Sequence, residues 1–224
     1  MNHYPHPILA REGWPFIGLA LVLSLLATVL WGGVAAIPFY IVLVFVLQFF
    51  RDPPRPVPEL ANAVLSPADG RIVKIEKVRD PYADRDALLI SVFMNVFNCH
   101  VNRVPVSGTI DRIAYRPGLF LNADLDKASE DNERNALIID TGAHRFGVVQ
   151  IAGLIARRIV SFVDEGDTLN VGERFGLIRF GSRVDVYLPE GVHPLVGVGQ
   201  TAIAGETVIA RIGGDAPKTS FNTI

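Results

Sequence analysis

Gly166-Asp-Thr-Leu-Asn-Val-Gly-Glu173 and Gly199-Gln-Thr-Ala-Ile-Ala-Gly-Glu206 share the pattern G-x-T-x-x-x-G-E at a spacing of 33 residues. Each copy leads into an apolar segment with β character. Paired glycines at that interval suit the tight corners of a small β-barrel or hammerhead built from two related halves. The sequence around them agrees. Arg71–Val78, Ala87–Met94, Gly108–Tyr115, Asn135–Asp140, Arg145–Ile151, Arg174–Ile178, Arg183–Leu188 and Glu206–Ile212 are short, rich in Val and Ile, and bounded by Gly, Pro, Asn or Asp. Asn122–Arg134 is polar and reads as a loop with a turn of helix. There is no βαβ alternation, which argues against a doubly wound parallel sheet. The expected fold is mainly β: a compact β-sandwich or barrel-like domain with an internal hammerhead-type repeat, preceded by an N-terminal hydrophobic helical hairpin.

The hairpin is read from charge. Of 224 residues, the 38 from Gly13 to Phe50 carry none, and mean hydropathy over the chain is +0.32. A single helix of that length would run about 57 Å, against a hydrocarbon core of about 30 Å. Gly32-Gly33 and Pro38 interrupt the run, so two segments are expected, near Trp14–Trp31 and Ala35–Phe50. Arg11 lies before them and Arg51 and Arg55 after, which favours placing both ends on the cytoplasmic side of the cell membrane. A cleaved signal peptide does not fit an n-region that is not basic, or the long apolar stretch. The chain thus divides into a membrane-anchoring hairpin (1–50), a Pro-rich linker (51–58) and a soluble domain (59–224).

Composition excludes several classes. A net charge of −2 with dispersed arginines gives no nucleic-acid signature. One cysteine, Cys99, rules out an intrachain disulfide or a cysteine-rich metal site. The glycine punctuation also occurs in biotinyl and lipoyl carrier domains, but these attach their group to a lysine, and Ala128–Pro217 contains none. Three segments carry groups able to do chemistry. Leu65-Ser-Pro-Ala-Asp-Gly-Arg-Ile-Val73 places Asp69 before a glycine turn; Phe97-Asn-Cys-His-Val-Asn-Arg-Val-Pro105 contains His100; Leu177-Ile-Arg-Phe-Gly-Ser-Arg-Val-Asp-Val-Tyr187 contains Gly181–Ser182. Read alone, the first is an Asp-Gly turn, the second a core histidine and the third a turn or bulge. Together, Asp, His and Ser are the types that activate a hydroxyl: carboxylate orients imidazole, and imidazole accepts the proton.

These segments resemble the phosphatidylserine decarboxylase family, specifically its short form. The likeness runs in order through Ser66-Pro-Ala-Asp-Gly70, Phe93-Met-Asn-Val-Phe-Asn-Cys-His-Val-Asn-Arg-Val-Pro105, Asn122-Ala-Asp-Leu-Asp-Lys-Ala-Ser-Glu-Asp-Asn-Glu-Arg134, Gln150-Ile-Ala-Gly-Leu-Ile-Ala-Arg-Arg-Ile159 and Arg179-Phe-Gly-Ser-Arg-Val-Asp185. It implies self-cleavage: His100, oriented by Asp69, takes the Ser182 proton and the oxygen attacks the Gly181 carbonyl. The expected products are a β chain (1–181) and an α chain of 43 residues (182–224) capped by a pyruvoyl group derived from Ser182. These would stay together as a heterodimer, with higher oligomers open. The resemblance implies decarboxylation of a membrane phospholipid, phosphatidylserine, to phosphatidylethanolamine through a Schiff base with the pyruvoyl group, His100 returning the proton. No metal is implied.

The chain departs from the long-form pattern at Phe180 and Arg183 around the cut, at Asn98, and at Arg103, where the long forms carry a second histidine. His100 is therefore expected to serve both steps, and Arg103 is a candidate for holding a substrate carboxylate or phosphate; Arg157-Arg158 raise the same idea. His144 and His193 read as loop bystanders. Two alternatives stand beside this reading: a decarboxylase of a related lipid such as archaetidylserine, and a non-enzymatic membrane-anchored β-barrel adaptor.

Overall fold

A computed structural model of the chain describes residues 8–118, 132–153, 158–179 and 182–213. These fall into two compact units, Met1–Pro54 and Arg55–Ile224.

In the first unit, helix α1 (Trp14–Trp31) and helix α2 (Gly33–Phe49) pack against each other. Gly32 joins them with φ +82°, a left-handed backbone that favours glycine. The break falls at Gly32 alone. Pro38 sits inside α2, near enough to its start to remove one backbone bond without ending the helix, and α2 begins at Gly33 rather than Ala35. The hairpin closes on itself where it began: the Ala10 amide donates to the Phe50 carbonyl (2.8 Å) and the Asp52 amide to Ile8 (2.7 Å). Small residues face inward, Ala20, Ser24 and Ala27 on α1 and Ala36 on α2, while Leu19, Val22, Val29, Val34 and Val44 are exposed. Arg11–Trp31, with mean hydropathy 2.1, is long and apolar enough to cross a membrane; Gly33–Phe49 is shorter.

The second unit holds fourteen strands among the described residues. They are β1 (Ala63–Leu65), β2 (Gly70–Asp80), β3 (Arg85–Met94), β4 (Val101–Arg103), β5 (Gly108–Arg116), β6 (Arg134–Asp140) and β7 (Arg145–Ala152). The rest are β8 (Ile159–Ser161), β9 (Thr168–Leu169), β10 (Arg174–Ile178), β11 (Ser182–Leu188), β12 (Val192–Pro194), β13 (Thr201–Ala202) and β14 (Val208–Ile212). All eight expected segments are strands. The last starts at Val208, not Glu206, because the Glu206 and Thr207 amides both turn back to the Ile203 carbonyl. The linker residues 52–58 are neither helix nor strand.

One antiparallel sheet of eight strands, in the order β13-β2-β3-β11-β7-β6-β5-β9, curls into half a barrel; β1-β14-β12 and β4-β10-β8 form two smaller sheets. The strand order is a palindrome of related parts. The two G-x-T-x-x-x-G-E copies supply the edge strands β9 and β13. Gly166 and Gly199 donate to Ile110 and Ile72 (2.8 and 2.7 Å), and Ile110 and Ile72 donate back to Asp167 and Gln200 (both 2.8 Å). Strands β2 and β5 even share a bulge at the same place, after Ile72 and after Ile110. The copies meet in space: a Cβ on Gly205 would lie 3.6 Å from the Gly172 Cα. All four repeat glycines have positive φ, between 72° and 95°. The core lies on the inner face of the curled sheet, where Ile72, Ile90, Val92, Val148, Val184 and Val186 meet Val64, Phe175 and Ile209.

The closest backbone approach is at Gly70, where a Cβ would stand 2.1 Å from the Phe93 carbonyl oxygen. Backbone cannot yield as a flexible side chain does. Overpacking of this kind costs about 1–3 kcal/mol, so Gly70→Ala is expected to lower the thermal midpoint by about 2–12 °C, measured by thermal unfolding of the solubilised protein.

Candidate active site

Ser182 opens β11, which lies between β3 and β7. In register it opposes Met94 on one side and Ala152 on the other. Strand alternation therefore puts its side chain on the inner face, in line with Val184 and Val186. It is fully buried, and its Oγ has no hydrogen-bond partner among the described residues. An unbonded buried hydroxyl costs about 1–3 kcal/mol, so this position invites a chemical explanation. Gly181, the other side of the bond, lies outside the described residues, as do Phe180 and Arg157.

His100 stands just before β4 and is fully buried. Its main chain is tied to the approach to Ser182: the Ile178 amide, at the end of β10, donates to the His100 carbonyl (3.3 Å). The ring's Nδ1 lies 3.0 Å from the Asn98 carbonyl oxygen. A carbonyl can only accept, so Nδ1 carries the proton and Nε2 is the basic nitrogen of the neutral ring.

A line of buried amides runs beneath the serine. Asn135 Nδ2 donates to Gln150 Oε1 (3.2 Å), Gln150 Nε2 to Asn102 Oδ1 (2.8 Å), and Asn102 Nδ2 to the sulfur of Met94 (3.6 Å), the residue facing Ser182. Gly176 makes room for it, since a Cβ there would meet Gln150 Nε2 at 2.8 Å. None of these three residues stands out from the sequence alone. Their only signal is that each is a polar interruption in a Val- and Ile-rich strand.

Asp69 is placed otherwise than expected. Both its oxygens accept from Arg55 Nη2 (3.0 and 2.8 Å), and Oδ1 also accepts from the Ala204 amide (2.9 Å). Arg55 Nη1 reaches Glu206 (3.3 Å). Burial works against the Arg55 charge, but attraction and hydrogen bonding from Asp69 offset it and hold the guanidinium pKa up. Among the described residues neither Asp69 nor Ser182 is hydrogen-bonded to His100; the Asn98 carbonyl occupies the orienting position at Nδ1. The structure thus ties Asp69 to the linker and to the second repeat.

Arg103 is buried. Its amide donates to Pro67 (2.9 Å) and its Nη1 to the Gly172 carbonyl (3.0 Å), and its Cδ packs 3.1 Å from the Cβ position of Gly205. These contacts brace the meeting point of the two repeats. Arg158 is exposed. His144 sits in a turn against Phe146 (6.5 Å between rings). His193 belongs to β12, not to a loop, because β12 pairs with β14.

Comparison with known proteins bears on the same residues. The family model for phosphatidylserine decarboxylase matches residues 42–210. A protein of Burkholderia mallei (strain SAVP1), called phosphatidylserine decarboxylase proenzyme, is 60% identical over 211 residues, covering 94% of this chain and 98% of its own. Proteins of the same name from Burkholderia pseudomallei (strain 1106a) and Cupriavidus taiwanensis are 59% and 57% identical, each over 94% of this chain and 98% of their own.

Breaking a buried ion pair from one side leaves an uncompensated charge and costs about 3–5 kcal/mol. Asp69→Asn is expected to destabilise the soluble domain by that order in guanidinium unfolding. The paired apolar replacement Asp69→Leu/Arg55→Met should recover most of the loss.

Proposed function

The chain belongs to the phosphatidylserine decarboxylase family, and on that premise we propose that it converts phosphatidylserine to phosphatidylethanolamine with a pyruvoyl group made from its own Ser182. One observation carries the reading: a fully buried Ser182 hydroxyl without a partner among the described residues, at the head of a central strand. That environment fits the group. Once the hydroxyl is consumed, no unbonded polar hydrogen remains beside Met94 and Ala152.

Self-cleavage starts with His100. Its Nε2 takes the Ser182 proton while Nδ1–H stays on the Asn98 carbonyl, so the ring can charge without changing tautomer. The serine oxygen attacks the Gly181 carbonyl and the Gly181–Ser182 amide breaks as an ester forms. His100 gives its proton to the freed serine nitrogen and, neutral again, takes the Ser182 Cα proton as the Cβ–O bond breaks and the Gly181 carboxylate leaves; water then hydrolyses the imine tautomer of the resulting dehydroalanine to the pyruvoyl group and ammonia. The β chain ends at Gly181 and the α chain begins at residue 182. Ser182 Oγ makes no hydrogen bond to His100 among the described residues, so the two groups must approach before attack.

When in place, the pyruvoyl group supplies an electron sink for the carbanion left as CO₂ departs. His100 holds the proton that is returned to carbon. Asp69 and Arg55 fasten the turn at residues 66–70 to the linker and so act on the site by position. The apolar hairpin holds the domain at the membrane that contains the substrate, on the cytoplasmic side as the flanking arginines favour.

Mass spectrometry of the purified protein tests the reading. Wild type should give two chains divided after Gly181, the second without a free amine. Ser182→Ala should stay whole, and His100→Gln, folded by circular dichroism, should mature at least 100-fold more slowly, the lower range for loss of a general base. A wild-type chain that remains whole under native expression would sink the proposal.

A further inference from the structure

One rung of the large sheet gathers arginines. In register, it runs Arg71, Phe93, Arg183, Ile151, Arg134, Arg116 across β2, β3, β11, β7, β6 and β5. Residues paired directly share a face, and this row lies on the face opposite to the Ser182 side chain. It starts one residue after the serine. Arg183 is taken by Asp185, bound through Nε and Nη2 at 2.8 and 2.9 Å.

Arg134 and Arg116 are different. They stand directly opposite each other, a like-charge pairing that destabilises a sheet. Neither has a carboxylate or hydrogen-bond partner among the described residues, and Arg134 Nε and Nη2 are shut off from solvent. The acidic neighbour in sequence, Glu133, points the other way, where its Oε1 accepts from the Tyr115 hydroxyl (3.0 Å) and the Ile159 amide (3.4 Å). A buried guanidinium edge beside a second cation wants an anion with several acceptor oxygens.

We propose that Arg134 and Arg116 form a phosphate-binding pair whose ligand is the phosphodiester of a membrane phospholipid. The guanidinium fork matches two phosphate oxygens at once. Arg134 lies two strands from β11, roughly 10 Å between Cα atoms. The choice of lipid as the source rests on the decarboxylase reading; the anion pair itself does not.

Binding to the full-length, detergent-solubilised protein tests it with three probes: dihexanoyl phosphatidylserine, dihexanoylglycerol, which lacks phosphate, and inorganic phosphate. Arg134→Gln and the exposed Arg116→Gln should each weaken binding of the phosphatidylserine about tenfold, the scale of one charge-assisted contact, and leave dihexanoylglycerol unchanged. Arg134→Lys should retain part of the affinity. Arg71→Gln removes a cation from the same rung and should change nothing. Wild-type affinity in both glutamine variants overturns the pair, as does an equal loss in Arg71→Gln, which would show diffuse charge instead. Arginine-dependent binding of inorganic phosphate without arginine-dependent binding of the lipid overturns the lipid assignment. If the wild-type chain stays whole, the decarboxylase reading falls, and the binding measurements still decide the anion pair.

Discussion

Strand β11 is paired along its whole length on one side, from Ser182 to Leu188 against β3, and along all but its last residue on the other, against β7. That double pairing is the constraint on which the site depends. It fixes which face Ser182 occupies, since a slip of one residue would turn it outward and bring Arg183 into the core. It also prevents the backbone from relaxing to give the buried hydroxyl a partner. The amide line from Asn135 to Met94 adds a polar floor under the serine that cannot rearrange piecemeal, because each amide spends its neighbour's acceptor or donor. Rigidity on one side of the serine leaves adjustment to the side chains of Ser182 and His100.

The hairpin is packed differently from the β domain. Its buried positions are mostly small, Ala20, Ser24, Ala27 and Ala36, with Phe49 the large exception, while Leu, Val and Trp side chains are exposed. Close packing of small residues is how helices associate where lipid removes the hydrophobic drive between them. The hydroxyls of Ser24 and Thr28 return to carbonyls one turn back, so neither leaves an unsatisfied group in an apolar medium.

Local signals were legible in the sequence and long-range ones were not. Short segments rich in Val and Ile and bounded by turn residues marked the eight longer strands, and the repeat glycines marked corners that do require positive φ. The expected hammerhead halves exist, but their extent was hidden. The matching bulges in β2 and β5 fall within a shared P-x-x-G-x-I-x-[KR]-I pattern, Pro67–Ile75 and Pro105–Ile113, too sparse to stand out before backbone hydrogen bonding shows the correspondence. Asp69 was picked out by the resemblance of Ser66–Gly70 to the family's pattern. Its actual partner, Arg55, read as a linker or membrane-flanking charge, because nothing local says that an extended segment folds back to a buried carboxylate. The arginine rung was invisible for the same reason: six strands contribute one residue each. The short strands β1, β4, β8, β9, β12 and β13 were missed because two or three residues cannot show a period.

The position of β11 has a further consequence for how the molecule ages. The 43 residues from Ser182 onward provide a central strand and an edge strand of the large sheet, and two strands of a small sheet whose third, β1, comes from the other end of the domain. A cut before Ser182 would leave these segments interleaved with the rest. It would also free the unfolded state from a covalent tie, raising its entropy and lowering equilibrium stability, while leaving the native contacts, and thus most of the barrier to unfolding, in place. The matured domain would then be kinetically trapped, persisting because it opens slowly. Such a protein folds once, as a single chain, and heat or denaturant that separates its two pieces erases a history that they cannot readily repeat.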